Sequence, residues 1–235
     1  MKTPFVSIII PAFNEEEQLQ ATVAAVRKSI AFSKLSAEVI IVDNCSEDHT
    51  FAIAKKIADK AVQEKIRVIA AVRNTGSHHA NGKYFIFLDA DTIVPPSLVK
   101  EFVNAMQNKN AVVVGCKVMP HPINFLEKIV FEFFNLILHS SILHGATFSG
   151  NAVGYTKKVF EKLGGFDEQR VASEDHDLSN RASRKGKAIF LNNLTVLTSN
   201  RRIENLGLLL VIGGWAKTTL FYLLGVRRKK YRITR

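Results

Sequence analysis

The segment FIFLDAD, residues 85–91, places the tightest constraint on what this chain can fold into. Phe85, Ile86, Phe87 and Leu88 form a short unbroken apolar run, the pattern of a strand covered on both faces. Asp89 and Asp91 follow at once, with only Ala90 between them. In an open α/β sheet, ligands bind at the carboxyl ends of the strands. Two carboxylates placed there suit a hard divalent cation. Mg2+ or Mn2+ takes a few carboxylate oxygens and completes its shell with water and substrate phosphate. On this stretch alone, a polar strand end with an Asp serving the next turn is an equal reading.

The preceding sequence repeats the pattern. Residues 6–10 read as a first strand, 38–42 as a second, 66–72 as a third and 84–88 as a fourth. A helix is expected from about Glu15, capped by Asn14, with Leu19, Val23, Val26 and Ile30 on one face. A second is expected over residues 47–61. This βαβαβ alternation predicts a doubly wound, mostly parallel sheet flanked by helices, and right-handed crossovers bring the strand exits onto one edge. That edge then carries PAFNE, DNCSEDHT and DAD. Neither a dinucleotide glycine pattern nor a P-loop lysine motif follows the first strand.

The 235 residues, 47% apolar, are enough for one large domain, expected over residues 1–202. Cys45 and Cys116 offer no disulfide framework, so a reducing, cytoplasmic setting is expected. The apolar run after Lys2 stops at Pro11 and reads as a strand, not a secretory leader. A net charge of +11 suits nucleic acid, an anionic membrane or phosphorylated substrates. Its densest part is Arg227, Arg228, Lys229, Lys230, Arg232 and Arg235, and the rest is not interleaved with aromatics. Membrane and phosphate are therefore expected partners, and nucleic acid is not.

Taken together, SIIIPAFNEE, IIVDNCSEDHT, VRNTGSHHANGKYFIFLDADTIVPP, GGFDE and SEDHDL, in this order, resemble a family-2 glycosyltransferase of the GT-A type over about residues 5–202. The resemblance implies an inverting, metal-dependent enzyme that moves a sugar from a nucleotide-diphosphate donor, UDP- or GDP-linked, to a glycan or a polyprenyl- or other lipid-linked acceptor. It implies that Pro11, Phe13, Glu15 and Asp43 cradle the nucleoside. Asp91, with Asp89, would hold Mg2+ or Mn2+, and Asp89 could also meet the ribose. Arg73 and Lys83 could meet donor phosphates, and Arg201 and Arg202 could clamp the pyrophosphate. Guanidinium matches phosphate geometry. Asp175 matches the catalytic base, Glu174 would orient the acceptor or its loop, and His176 would be structural. Helices are expected over residues 157–163 and about 174–185, the latter capped by Ser173. A sugar-nucleotide pyrophosphorylase is disfavoured because PAFNEEE has neither glycine nor base. A catalytically silent nucleotide-sugar-binding or membrane scaffold is the alternative.

Two segments are more apolar than a globular enzyme needs. Over residues 124–139, the polar side chains fall in a stripe of roughly 140° and the remainder is apolar. Residues 206–226 are apolar except for Lys217, with Gly213-Gly214 expected to break them, and the basic tail follows. Residues 203–235 are thus expected to form an apolar helical extension with a cationic end. An in-plane or re-entrant anchor at the inner face of the plasma membrane is expected over packing on the domain or a full span.

Overall fold

The structure, a computed structural model, describes residues 3–170 and 172–224. The first half is β1 (Val6–Ala12), α1 (Leu19–Ser33), β2 (Ala37–Asp43), α2 (Thr50–Ile57), β3 (Lys60–Gln63), α3 (Ile69–His78) and β4 (Tyr84–Leu88). These strands pair in parallel in the order β3-β2-β1-β4, as the βαβαβ pattern predicts.

Several boundaries differ from expectation. The third strand is β3, and residues 69–72 belong to a helix. Ala70 and Ala71 favour helix, and an apolar run this short does not separate the two states by period. Gly76 lets α3 lie close on β1, since a Cβ there would sit 2.4 Å from Ile9 Cγ2. Helix α1 starts at Leu19, not Glu15. Asn14 takes a left-handed conformation (φ 52°) and does not cap it. Its N–H donates to Ser46 Oγ at 2.9 Å and its Oδ1 accepts from Glu47 N at 2.9 Å, stitching the exit loop of β1 to that of β2. Pro11 lies buried inside β1, beyond Ile9 where the pairing to β4 ends. A residue without an N–H is tolerated where one side of the strand lacks a partner.

The second half is β5 (Thr92–Ile93), α4 (Leu98–Asn108), β6 (Ala111–His121), α5 (Phe125–Ser140), β7 (Ala152–Thr156), α6 (Lys157–Lys162), α7 (Glu174–Ser183), β8 (Lys187–Ser199), α8 (Arg201–Leu206) and α9 (Leu208–Leu223). Here the sheet becomes mixed. Strand β7 runs antiparallel to both β4 and β6, β8 is parallel to β6, and β5 closes against β8. Apolar layers cover both faces, one under α1 and α4 and the other under α3, α6 and α7. Gly164 and Gly165 (φ 73° and 71°) end α6 as expected. Ser173 precedes α7 at φ 62°, and its side chain makes no capping bond.

Helix α9 continues through Gly213-Gly214, and the break falls earlier, at Gly207 (φ 81°). Among the described residues no helix is long and apolar enough to cross a membrane. The basic stretch from Arg227 to Arg235 lies outside the described residues.

Candidate active site

The carboxyl ends of β1, β2 and β4 meet on one edge, and the expected nucleoside-side residues lie there. Asp43, the last residue of β2, is fully buried and accepts from Gln63 Nε2 at 3.0 Å and from Ser46 N at 3.3 Å. Arg67 stands over the Phe13 ring, 5.0 Å from its centroid. Glu15 is 2% exposed, and Arg201 Nη2 contacts both of its carboxylate oxygens at 3.0 Å. Two residues assigned to different parts of the donor thus meet each other. Pro11 lies beneath this edge as part of the strand.

Lys83 does not join them. It precedes β4, at the amino end of the sheet, where its N–H bonds Phe5 O and its ammonium lies 5.5 Å from the centre of the Tyr84 ring. Strand β4 separates it from Asp89 by its whole length, about 17 Å at the usual rise. The two ends of a strand face opposite edges of the sheet, so a place beside β4 does not bring Lys83 to the carboxyl edge.

Arg73 is also misplaced by the sequence reading. It lies on α3, not beside a strand, and is 2% exposed. Its Nη2 donates to Asp89 Oδ1 at 2.8 Å and to Gly150 O at 3.3 Å, and its Nη1 donates to Glu174 Oε1 at 2.6 Å. The guanidinium stacks over Phe166 at 5.5 Å, and Nε is buried without a hydrogen-bond partner. The two carboxylates hold its pKa above the ordinary value against the effect of burial. Arg73 straps the underside of the edge.

Gly150 completes the strap. Its carbonyl accepts from Arg73, and its N–H donates to Asp175 Oδ2 at 2.6 Å. A Cβ at Gly150 would lie 2.3 Å from Arg73 Nη2, so this close approach requires glycine. Asp89 and Asp175 are therefore joined through one guanidinium and the backbone of a single residue, Gly150. Asp175 is half-buried, and its Oδ1 accepts from His176 N at 2.8 Å. Glu174 is 6% exposed, and burial with the adjacent Asp175 charge pushes its carboxyl up to about 7, Arg73 pulling the other way.

Helix α7 is fixed from behind. Asp177 binds Arg181 Nε at 2.7 Å and Arg170 Nε at 3.1 Å, and Arg181 also donates to the carbonyls of Leu163 and Gly165. Asn74 ties the preceding segment to α3. Its Oδ1 accepts from Phe166 N and its Nδ2 donates to Phe166 O, both at 2.9 Å. Gly150 and Asn74 were missed as site-building residues, although both sit inside the motifs SGNAVG and VRNTG.

Beside the strap, a cavity of about 300 Å3 opens between Asp91, His121, Thr198 and Arg201. Thr198 Oγ1 donates to Asp91 Oδ1 at 3.4 Å, and Ser199 N donates to the Asp91 carbonyl at 3.2 Å. Arg201 opens α8, whereas Arg202 is exposed and outside the cavity lining. Among the described residues no group of three His, Cys, Asp or Glu side chains gathers as a cation site. Asp91 in an open cavity, with the Asp89 side chain 33% exposed nearby in sequence, fits the chemistry of a cation that takes one or two carboxylates and leaves its other positions to water and phosphate.

This architecture is that of the GT-A glycosyltransferases. A mannosyltransferase from Pyrobaculum calidifontis, solved in complex with GDP-Man and Mn2+, matches with a TM-score of 0.68 at 22% identity, over 84% of this chain and 57% of that one. TarS of S. aureus, solved with UDP-GlcNAc, matches with a TM-score of 0.66 at 18% identity, over 83% of this chain and 58% of that one. Residues 7–164 match the model of Glycosyl transferase family 2, and the chain belongs to that family. An uncharacterised glycosyltransferase of Rickettsia prowazekii is 28% identical over 75% of this chain. Glycosyltransferase AglE of Haloferax volcanii is 27% identical over 79%. The chain spans 58% and 64% of the length of these two relatives.

Proposed function

We propose that the protein is an inverting glycosyltransferase that moves a sugar from a nucleotide-diphosphate donor to an acceptor hydroxyl. The observation that carries this reading is the connection of the strand-end carboxylate of Asp89 to Asp175 through Arg73 and Gly150. Asp43 and Glu15 face the nucleoside as acceptors for base N–H and ribose hydroxyl groups. The complexes named for its structural relatives, GDP-Man and UDP-GlcNAc, make a guanine or uracil donor the first to test.

Asp175 takes the proton of the acceptor hydroxyl as its oxygen forms the new bond to the anomeric carbon. The bond from that carbon to the diphosphate oxygen breaks on the opposite face, so the configuration inverts, and the leaving group departs as a nucleoside diphosphate. Asp91, with Asp89, would hold a divalent cation, which supplies Lewis-acid neutralisation of the diphosphate charge. Arg73 keeps Asp89 from turning away from this edge. Arg201 would release Glu15 to the ribose and meet the diphosphate. A glycan or lipid-linked hydroxyl is the acceptor class we favour.

A thermal-shift panel of UDP-, GDP- and dTDP-sugars, with and without Mn2+, tests the reading. A ligand at about 100 times its Kd stabilises by roughly 2.7 kcal/mol, an easily measured shift. The expected result is a metal-dependent shift with one nucleotide, lost in Asp91→Ala, with turnover lost in Asp175→Asn. A nucleotide shift without turnover under any acceptor would favour the silent scaffold. No shift with any donor would overturn the reading.

A further inference from the structure

Helix α5 is built inside out for a surface helix. At about 100° per residue, Phe125, Leu126, Ile129, Phe133, Leu136 and Ile137 share one arc of about 120°. Their exposures run from 48% to 81%. The opposite arc, Glu127, Phe131, Asn135 and Leu138, is buried. The inward polar residues are bonded in place. Asn135 accepts from Val118 N at 2.9 Å and donates to Val118 O at 2.8 Å. Glu127 closes a capping box with Asn124 and accepts from Asn200 Nδ2 at 3.4 Å. The helix cannot roll its apolar arc inward without leaving these groups unpaired, which is costly in a buried setting.

Helix α9 packs beside it. Trp215 stacks on Phe134 at 5.0 Å and meets Phe131 edge-on at 5.3 Å, and Val211 is 2% exposed. This docking leaves Leu209, Leu210, Leu220 and Leu224 exposed. The two helices together carry most of the large exposed apolar side chains among the described residues. A patch of this kind marks an interaction surface.

We propose that the outer faces of α5 and α9 form a docking surface for an anionic lipid bilayer, on which the protein rests without crossing it. Charge selects the occupant. The sequence runs on from α9 into Arg227, Arg228, Lys229, Lys230, Arg232 and Arg235, within a chain of net charge +11. A second copy would bring the same cations and repel, whereas anionic headgroups attract them. An in-plane helix buries its apolar side at the boundary of headgroups and acyl chains, and the α5 arc has that form.

The surface also adjoins the cavity. His121 and Pro122 line the cavity with Asp91, Ile123 follows at 40% exposure, and α5 begins two residues later. Docked this way, the protein meets an acceptor anchored in lipid at the cavity rim. That step rests on the glycosyltransferase reading, and bilayer docking does not.

The test is flotation of the full chain with vesicles of phosphatidylcholine alone or mixed with phosphatidylglycerol, at low and high salt, alongside light scattering. Binding to the anionic vesicles, weakened by salt, is expected. The Ile129→Glu/Phe133→Glu and Leu209→Glu/Leu210→Glu variants are each expected to weaken it by about tenfold or more, since a charge replaces inserted apolar surface. Both pairs are exposed, so circular dichroism and the nucleotide-sugar thermal shift should match the wild type. Absence of binding, or variants that bind as well as the wild type, would overturn the proposal. So would a stable dimer that these variants dissociate, which assigns the face to self-association. None of these results alters the thermal-shift test of the donor site.

Discussion

Asp89 and Asp91 leave the same strand two residues apart, yet the protein treats them in opposite ways. Asp89 is held from below by an arginine that is 2% exposed, itself bound to a second buried carboxylate on a distant helix. Asp91 opens into a cavity, where Thr198 Oγ1 reaches its Oδ1 at 3.4 Å and the neighbouring Arg201 turns to Glu15. One side of the edge is strapped and the other is open. A strapped carboxylate keeps its geometry without a ligand, and an open one leaves room for a cation and a diphosphate. Asp175, the base in the proposed reaction, belongs to the strapped side, because the Gly150 backbone ties it to the same arginine.

The largest effect should come from the base. Asp175→Asn keeps the size of the side chain but removes the proton acceptor, so kcat should fall by about 10²- to 10⁴-fold. Donor-induced thermal shift should be retained, because Asp175 does not face the nucleotide in this assignment. If Asp175→Asn turns over normally, the strapped side does not carry the chemistry and the contrast loses its functional meaning.

Next comes the strap itself. Arg73→Met leaves Asp89 and Glu174 without their shared cation. Breaking a buried ion pair from one side costs about 3–5 kcal/mol. For a chain of this size that lowers Tm by about 10 °C. Arg73→Lys should recover only part of the loss, since one ammonium does not span both carboxylates as the planar fork does. Melting curves of the three proteins check this. Equal stability of Arg73→Met and wild type would show that the strap does not hold the edge.

Glu174 supplies a pH signature of the strapped side. Its native pKa, about 7, lies above its ordinary 4.5, so the native state binds this proton more tightly than the unfolded chain. Its contribution to stability is then complete below about pH 4.5 and is lost as the pH rises through about 7. Denaturant unfolding between these limits should show stability falling with pH from this source, and Glu174→Gln should flatten that slope. An unchanged slope in Glu174→Gln would place the proton elsewhere.

The strand exits were far more legible in sequence than the strap beneath them. Apolar runs ending in Asp43 and Asp89 predict parallel strands and align their exits, because strand period and crossover handedness are local rules. The same rules reach neither β7, which turns antiparallel after α5, nor the pairing of Arg73 with Glu174 across 101 positions. A buried arginine looks like any other in sequence, since its partners are set by tertiary packing. Lys83 flanks a strand as well, but at its amino end, and a place beside a strand does not say which edge of the sheet a residue joins. The apolar excess of α5 was legible, but its direction was not. Period alone gives the two faces of a helix, and only the bonds of Asn135 and Glu127 decide which face turns in.

The smallest effect tests the contact between Arg201 and Glu15 on the open side. Arg201 meets Glu15 with both oxygens at 3.0 Å, and the arginine side chain is 34% exposed while Glu15 is nearly buried. If this pair is a latch that yields to the donor, its worth in the free protein is modest and its loss shows mainly in binding. Arg201→Lys keeps the charge and removes the fork, so stability should change by no more than about 1 kcal/mol, the scale of partly solvated pairs. Affinity for the nucleotide-sugar should fall by several-fold, since a point charge recognises a diphosphate less well than a bidentate guanidinium. Calorimetric titration of donor into the two proteins, at matched salt, measures the difference. A loss of stability as large as that of Arg73→Met, with affinity unchanged, would make Arg201 a second strap. The edge would then be held on both sides, and the opposition between Asp89 and Asp91 would disappear.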